Sequence, residues 1–295
     1  MSFEIKKSHR NVHDITVDSD NFKIAMLSDI HWDNPKCDWE LLKSHLDYCQ
    51  RENLKVMVNG DFFCLMQGKG DRRGNKSDLR PEHKTSRYLD SIVETAVEWF
   101  LPYADLFLVI GYGNHETAII KHQETDLLAR FVDLLNYRAG TKINTGGYGG
   151  WLNVRLRYAK TTKWVSIRIK YFHGSGGGGI VTKGAINLTR AMQNFGGFDV
   201  FSMGHIHENS ARNDAQETLK TSPRFGSQLH HHHVHMMITG TYKEEFQDGF
   251  GGWHVERGAG IKPLGGRILD MRLIRKTKKG ADILIKKVDS YQFPI

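Results

Sequence analysis

Cysteine is scarce in this chain: Cys37, Cys49 and Cys64 are the only three among 295 residues, an odd and scattered set without paired spacing. That excludes a disulfide framework and a thiolate zinc knot, and it points to reduced thiols. Long apolar runs are absent too, with a mean hydropathy of −0.47, so no membrane-spanning helix and no membrane partner is expected. The opening MSFEIKKSHR lacks the apolar stretch and small-residue cleavage site of a secretory leader, which makes the cytoplasm the expected compartment. Internal repeats and low-complexity linkers are also missing.

What the chain has in number is positive charge and histidine. Lys and Arg total 41 against 33 Asp and Glu, a net charge of +8, which favours anionic partners without specifying one. The sixteen histidines are more telling, because neutral imidazole is the commonest metal ligand and proton carrier near pH 7.

Hydrophobic periodicity alternates between strand and helix in the first half of the chain. FKIAMLSDI (22–30) reads as a buried strand, Asp38 to Glu52 as a helix, and LKVMVNGD (54–61) as a second strand. Tyr88 to Leu101 has helical period and stops at Pro102, and LFLVIGYGNHE (106–116) is a third strand. Glu116 to Leu135 is expected to be one further helix. Beyond Asn144 the pattern becomes that of paired strands: WLNVRLRY and WVSIRIKYFH form a hairpin, a short helix follows at Thr182 to Asn194, and FDVFSMGHIH is again a strand. Later strands are expected at 217–221, 231–239, 267–274 and 281–288. Parallel units first and antiparallel strands later favour one α/β domain over 1–295, with a C-terminal β-rich part at about 211–295.

Five of these strand ends carry residues able to bind hard or borderline cations: Asp29 with His31, Asp61, Asn114 with His115, His173, and His205 with His207. In open α/β sheets such ends converge on one crevice. Two residues apart in extended backbone share a face, so Asp29 with His31, and His205 with His207, are each expected to grip one ion. A lone D-x-H or G-D is weak, since each recurs by chance as a turn or a hydrogen-bonded core residue; the ordered set is what carries meaning.

In order and spacing, SDIH, NGD, YGNHE, YFHG and MGHIH resemble the blocks of the calcineurin-like metallophosphoesterases over about Lys23 to His207. The resemblance implies a four-layer α/β/β/α sandwich, two mixed β-sheets with a dinuclear metal site at their strand ends. It implies that Asp29, His31 and His207 hold one divalent ion, that Asn114, His173 and His205 hold the other, and that Asp61 bridges them. Imidazole, carboxylate and amide oxygen without thiolate suit Mn²⁺ first, with Fe or Zn²⁺ as alternatives. Two ions about 3.5–4 Å apart can acidify a water and stabilise an in-line displacement, so no protein nucleophile is needed. His115 resembles the family's catalytic histidine, placed to protonate the leaving oxygen.

The sequence departs from the protein-phosphatase block G-D-x-V-D-R-G: after Asp61 comes FFCLMQG, with Cys64 in place of the second Asp and no arginine beside it. A basic insert at 67–84 supplies Arg72, Arg73, Lys76 and Arg80 as candidate substrate contacts, the plainer reading being a solvated loop. The expected function is hydrolysis of a phosphate ester, most of all a phosphodiester in DNA, RNA or a nucleotide. The alternatives are a phosphomonoesterase and, more remotely, a binding scaffold that has lost its chemistry. His231, His233 and His235 share one face of a strand, expected to be exposed, and could take up adventitious metal.

Overall fold

The computed structural model describes all residues except 1, 66–78, 159–160, 224–225, 247–252, 257, 259, 279–280 and 295. In chain order the strands are β1 (Phe3–His9), β2 (Val12–Val17), β3 (Asn21–Leu27), β4 (Lys55–Val58), β5 (Phe107–Ile110), β6 (Asn144–Thr145), β7 (Gly149–Arg157), β8 (Trp164–Phe172), β9 (Val200–Met203), β10 (Ser210–Ser222), β11 (Gly226–Ile238), β12 (Arg267–Lys278) and β13 (Ala281–Gln292). The main helices are α1 (Trp39–Arg51), α2 (Tyr88–Phe100), α3 (Asn114–Gln123), α4 (Leu127–Ala139) and α5 (Ala185–Asn194).

The burial of β3 shows why the fold has four layers. Phe22, Ile24 and Met26 point to one side and Ala25 and Leu27 to the other, and all five are buried, so both faces of the strand must be covered. Ala25 and Leu27 join Leu42, Leu46, Val93, Val97, Phe100 and Phe131 in the core beneath the helices. Ile24 and Met26 join Ile15, Val154, Ile169 and Met237 in the core between the sheets. On the far side α5 lays Leu188 and Ala191 on Phe201, Met236 and Ile238. The order is thus helices, a six-stranded sheet β13-β12-β3-β4-β5-β6, a seven-stranded sheet β1-β2-β7-β8-β9-β11-β10, and a last helix, the expected α/β/β/α sandwich with two mixed sheets.

β3, β4 and β5 run parallel in one sheet, and β8 and β9 in the other. The later strands complete both sheets, β12 pairing with β3 and β11 with β9. Asp38 caps α1 by accepting the Leu41 N–H at 2.9 Å, which satisfies one of the helix's orphan donors.

Two expectations need correcting. The helix read over 116–135 is two helices: Glu124 adopts left-handed backbone (φ 52°) at the end of α3, and Asp126 restarts the chain as the N-cap of α4. The amino-terminal hairpin β1–β2 was not foreseen. It packs Ile15 and Val17 into the inter-sheet core while β1 stays largely exposed at the sheet edge, so its alternation is interrupted by lysines that face solvent.

Candidate metal centre

The crevice lies where the carboxyl ends of five strands from both sheets meet. β3, β4 and β5 deliver Asp29 with His31, Asp61, and Asn114 with His115; β8 and β9 deliver His173 and His205 with His207. The paired residues do not sit on extended backbone as expected. Asp29, His31, Asp61, His205 and His207 have φ of 51, 49, 49, 69 and 54°, in the left-handed region that costs a non-glycine residue on the order of 1–3 kcal/mol. Tertiary pairing enforces it: Asp29 N–H donates to Gly60 C=O and His31 N–H to Asp61 C=O, each at 3.1 Å. The backbone turns locally so that each side chain enters the crevice. Gly113 belongs to the same close fit, because a Cβ there would collide with the Asp61 carboxylate.

Two donor groups result. Asp29, His31 and His207 offer atoms all within 4.8 Å of one another, and so do Asp61, His173 and His205. Asn114 adds its Oδ1, 3.2 Å from His173 Nε2. Asp61 Oδ2 lies 3.2 Å from His173 Nε2 and 3.8 Å from His115 Nε2, and Asp29 Oδ1 lies 3.3 Å from His207 Nε2. The ring orientations are fixed from behind. His173 Nδ1–H donates to Asn59 C=O at 2.7 Å and His115 Nδ1–H to Cys64 C=O, leaving each Nε2 on the crevice side. Asp29 Oδ2 accepts from Ser28 Oγ and from His205 N–H, and Asp61 Oδ1 accepts from His115 N–H.

The electrostatics favour positive charge between these groups. Burial alone would push the His173 imidazole down, but the charge of Asp61, with its hydrogen bond and Asp29 behind, raises it to about 10. Burial would push the Asp61 carboxyl up, yet the His173 and His115 rings hold it well below the usual range. Burial, followed by the charge of His115, keeps His31 well below its ordinary value. Both His31 ring nitrogens are buried without a hydrogen-bond partner among the described residues, an unusual cost for imidazole unless a cation takes the lone pair. The donor set and these orphaned nitrogens fit divalent ions of the hard-to-borderline kind.

Arg80 holds its guanidinium 4.6 Å from the Trp32 ring and 4.4 Å from the Trp39 ring and pairs with Glu82. Arg72, Arg73 and Lys76 lie outside the described residues. Residues Phe62 to Leu65, which occupy the place of x-V-D-R in the phosphatase block, are all buried, and Phe62 and Phe63 pack on Phe131.

Three residues of the site went unread in the sequence. Glu116 accepts from the backbone of Asp61, Phe63 and Gly113 at 3.2, 2.9 and 2.7 Å, tying two crevice loops together; burial, then the charge of Asp61, pushes its carboxyl up to about 8. Its signal was present, since a Glu three residues into α3 is the capping-box pattern. Asp33 accepts from Cys64 and Leu65 N–H. Lys243, buried and paired with Glu245, comes from a segment in which Thr241 Oγ1 and Tyr242 N–H both bond Asp29 C=O; nothing local marks it.

A two-sheet sandwich with imidazole and carboxylate donors at one edge is the architecture of a metal-dependent phosphoesterase. The sequence profile of the calcineurin-like phosphoesterases matches residues 22–209, more than half of the chain, and the protein belongs to that family. Membership implies metal-dependent phosphoester hydrolysis, and family members typically bind two divalent metals. Among solved structures, the chain is similar to Vacuolar Protein Sorting 29 from Cryptosporidium parvum, at 9% identity over 92% of this chain and 99% of that one, TM-score 0.36. It is also similar to GAP50, the anchor in the inner membrane complex of Plasmodium, at 10% identity over 92% and 88%, TM-score 0.41. Curated protein sequences give no match.

Proposed function

We propose that the protein is a phosphodiesterase acting on nucleic acid or nucleotide diesters, with Mn²⁺ as the preferred metal. Asp29, His31 and His207 would hold one ion, Asn114, His173 and His205 the other, and Asp61 would bridge them. When bound, two such cations supply Lewis-acid polarisation of the phosphoryl group and an acidified water as nucleophile. The chain's own part is to hold the ions and to move a proton. His115, with Nδ1–H tied to Cys64 C=O, keeps one tautomer and presents Nε2 beside Asp61, where it can protonate a leaving alkoxide.

The observation that carries the reading is the pair of donor triads, each within 4.8 Å, with His115 Nε2 3.8 Å from Asp61 Oδ2. The preference for a diester rests on the stretch immediately after Asp61. A dianionic terminal phosphate is best gripped by an arginine fork, and here buried phenylalanines and Cys64 occupy that stretch. The excess of eight positive charges suits a polyanionic substrate. A panel of phosphomonoester, small diester, and single- and double-stranded DNA with added Mn²⁺ tests it. Diester cleavage exceeding monoester cleavage is expected; robust monoester turnover without diester cleavage would transfer the assignment to a phosphatase.

A further inference from the structure

Cys64 turns its sulfur toward the same crevice from the side that the two donor triads leave over. Its Sγ, a His31 nitrogen and a His115 nitrogen all lie within 4.8 Å of one another, and all three residues are buried, at 2, 2 and 9% exposure. The His31 and His115 rings stand edge to face at 4.8 Å. Among the described residues His31 has no hydrogen-bond partner on either nitrogen, so its one lone pair can go to an ion on the Cys64 side or to one on the Asp29 side. The loop bearing Cys64 is fixed, because Asp33 accepts both the Cys64 and Leu65 backbone N–H.

Two imidazoles and one thiolate make a soft-to-borderline donor set, suited to tetrahedral Zn²⁺ or Cd²⁺ with one position left open and poorly suited to Mg²⁺ or Mn²⁺. We propose that His31, Cys64 and His115 form a thiophilic-metal site overlapping the hydrolytic centre, through which Zn²⁺ or Cd²⁺ inhibits the enzyme. The inhibitory consequence rests on the phosphoesterase reading; binding of the ion does not. A soft ion held here takes the lone pair of His115, the proposed proton donor, and competes for His31.

Binding replaces the S–H bond with an S–metal bond and releases one proton to solvent. Burial pushes the Cys64 thiol up to about 12, so the free residue is a thiol and poorly reactive at neutral pH. Asn34 Nδ2 donates to Sγ at 3.3 Å and the Lys243 ammonium favours the thiolate, while the Asp33 and Asp61 carboxylates oppose it.

The test is a titration of metal-stripped full-length protein with Cd²⁺, followed by the ultraviolet charge-transfer absorption of cadmium–thiolate. Wild type should develop the band with one equivalent, Cys64→Ser should not, and Cys37→Ser/Cys49→Ser should behave as wild type. In parallel, inhibition of Mn²⁺-supported turnover by Cd²⁺ is compared, each protein relative to its own uninhibited rate, and Cys64→Ser should need at least about tenfold more Cd²⁺. A band that survives in Cys64→Ser, or never forms in wild type, overturns the site. A band without differential inhibition overturns the overlap. Absence of any phosphoester turnover in the Mn²⁺-loaded protein, with the band intact, would instead sink the hydrolase reading and leave the metal site standing.

Discussion

Two regions of this molecule are rich in histidine, and they differ in how far their imidazoles converge and how deeply most of them are buried. The crevice gathers His31, His115, His173, His205 and His207 from strand ends that are far apart in sequence; the first three are buried and the last two half-buried, and backbone carbonyls orient the His173 and His115 rings. The β10–β11 ribbon carries His230 to His233 consecutively, on a stretch of β11 that pairs with β10 before the strand joins β9 at His235. There the His231 side chain is 68% exposed, and its ion pair with Glu217 at 3.4 Å is likewise open to water. Imidazole number is similar; convergence and desolvation are not. The crevice also holds five non-glycine residues in left-handed backbone, strain that persists only where surrounding structure over-determines it, whereas no ribbon histidine has a positive φ.

The largest effect that would break this contrast is at Asp61. Its carboxylate is 2% exposed, bonded to His115 N–H and facing His173, and it is the one group proposed to touch both ions. Asp61→Asn should abolish measurable turnover and lower bound metal from two equivalents toward one or none by elemental analysis. Full metal content with normal activity would disprove the bridging role.

Next in size is His115→Ala, expected to lower kcat by about 10²–10⁴-fold, the range for a positioned proton donor, with metal content nearly unchanged. Loss of metal equal to that of Asp61→Asn would make His115 a ligand or support instead. A substrate with a very acidic leaving group should show much the smaller loss, since it needs no proton to depart.

How much of the contrast was legible in the sequence depends on where each cause resides. The crevice motifs could be named from sequence because residue type and strand-end position are local properties, and SDIH, NGD, GNHE, FHG and GHIH keep both together. The left-handed turns at Asp29 and His31 could not, because they depend on hydrogen bonds to Gly60 and Asp61 from another strand. The break between α3 and α4 at Glu124 has neither Gly nor Pro to announce it. On the ribbon, period-two alternation put His231, His233 and His235 on one face, expected to be exposed. His235 is in fact buried, hydrogen-bonded to Asn213 and Ser290, because β13 crosses it at the point where β11 enters the sheet; only a tertiary contact separates it from its exposed neighbours.

A smaller effect, on stability, comes from a histidine in neither region. His13 on β2 is fully buried, and neither ring nitrogen has a hydrogen-bond partner among the described residues. Burial first, then Lys7 directly across on β1, lowers it to about 4, against a weaker upward pull from Asp14. The fold therefore prefers the neutral ring: its contribution is complete above the unfolded value near 6.5 and is lost as pH falls toward 4. His13→Leu should remove on the order of 2 kcal/mol of that acid sensitivity. Denaturant midpoints at several pH values would read it as a shallower slope between 6.5 and 4; an unchanged slope would show that protonation of His13 is tolerated in the fold.

The smallest effect is expected from the ribbon itself, and it bears hardest on the contrast. β11 runs toward the crevice, and from His231 to its end at Ile238 the strand covers about 23 Å at 3.3 Å per residue, so His231 sits far from Asp29. Exposed ion pairs such as His231 with Glu217 contribute little, and surface replacements without buried partners usually shift stability by no more than about 0.5 kcal/mol. The double replacement His231→Thr, His233→Thr keeps β propensity and removes both outward imidazoles. Retention on immobilised nickel should fall sharply, since two imidazoles two apart on one face are what such a surface grips. Turnover with Mn²⁺ should stay within about twofold of wild type and the denaturant midpoint should hardly move. A tenfold loss of diesterase activity would mean that the ribbon reaches the substrate, and the division between a buried working cluster and a solvated idle one would have to be abandoned.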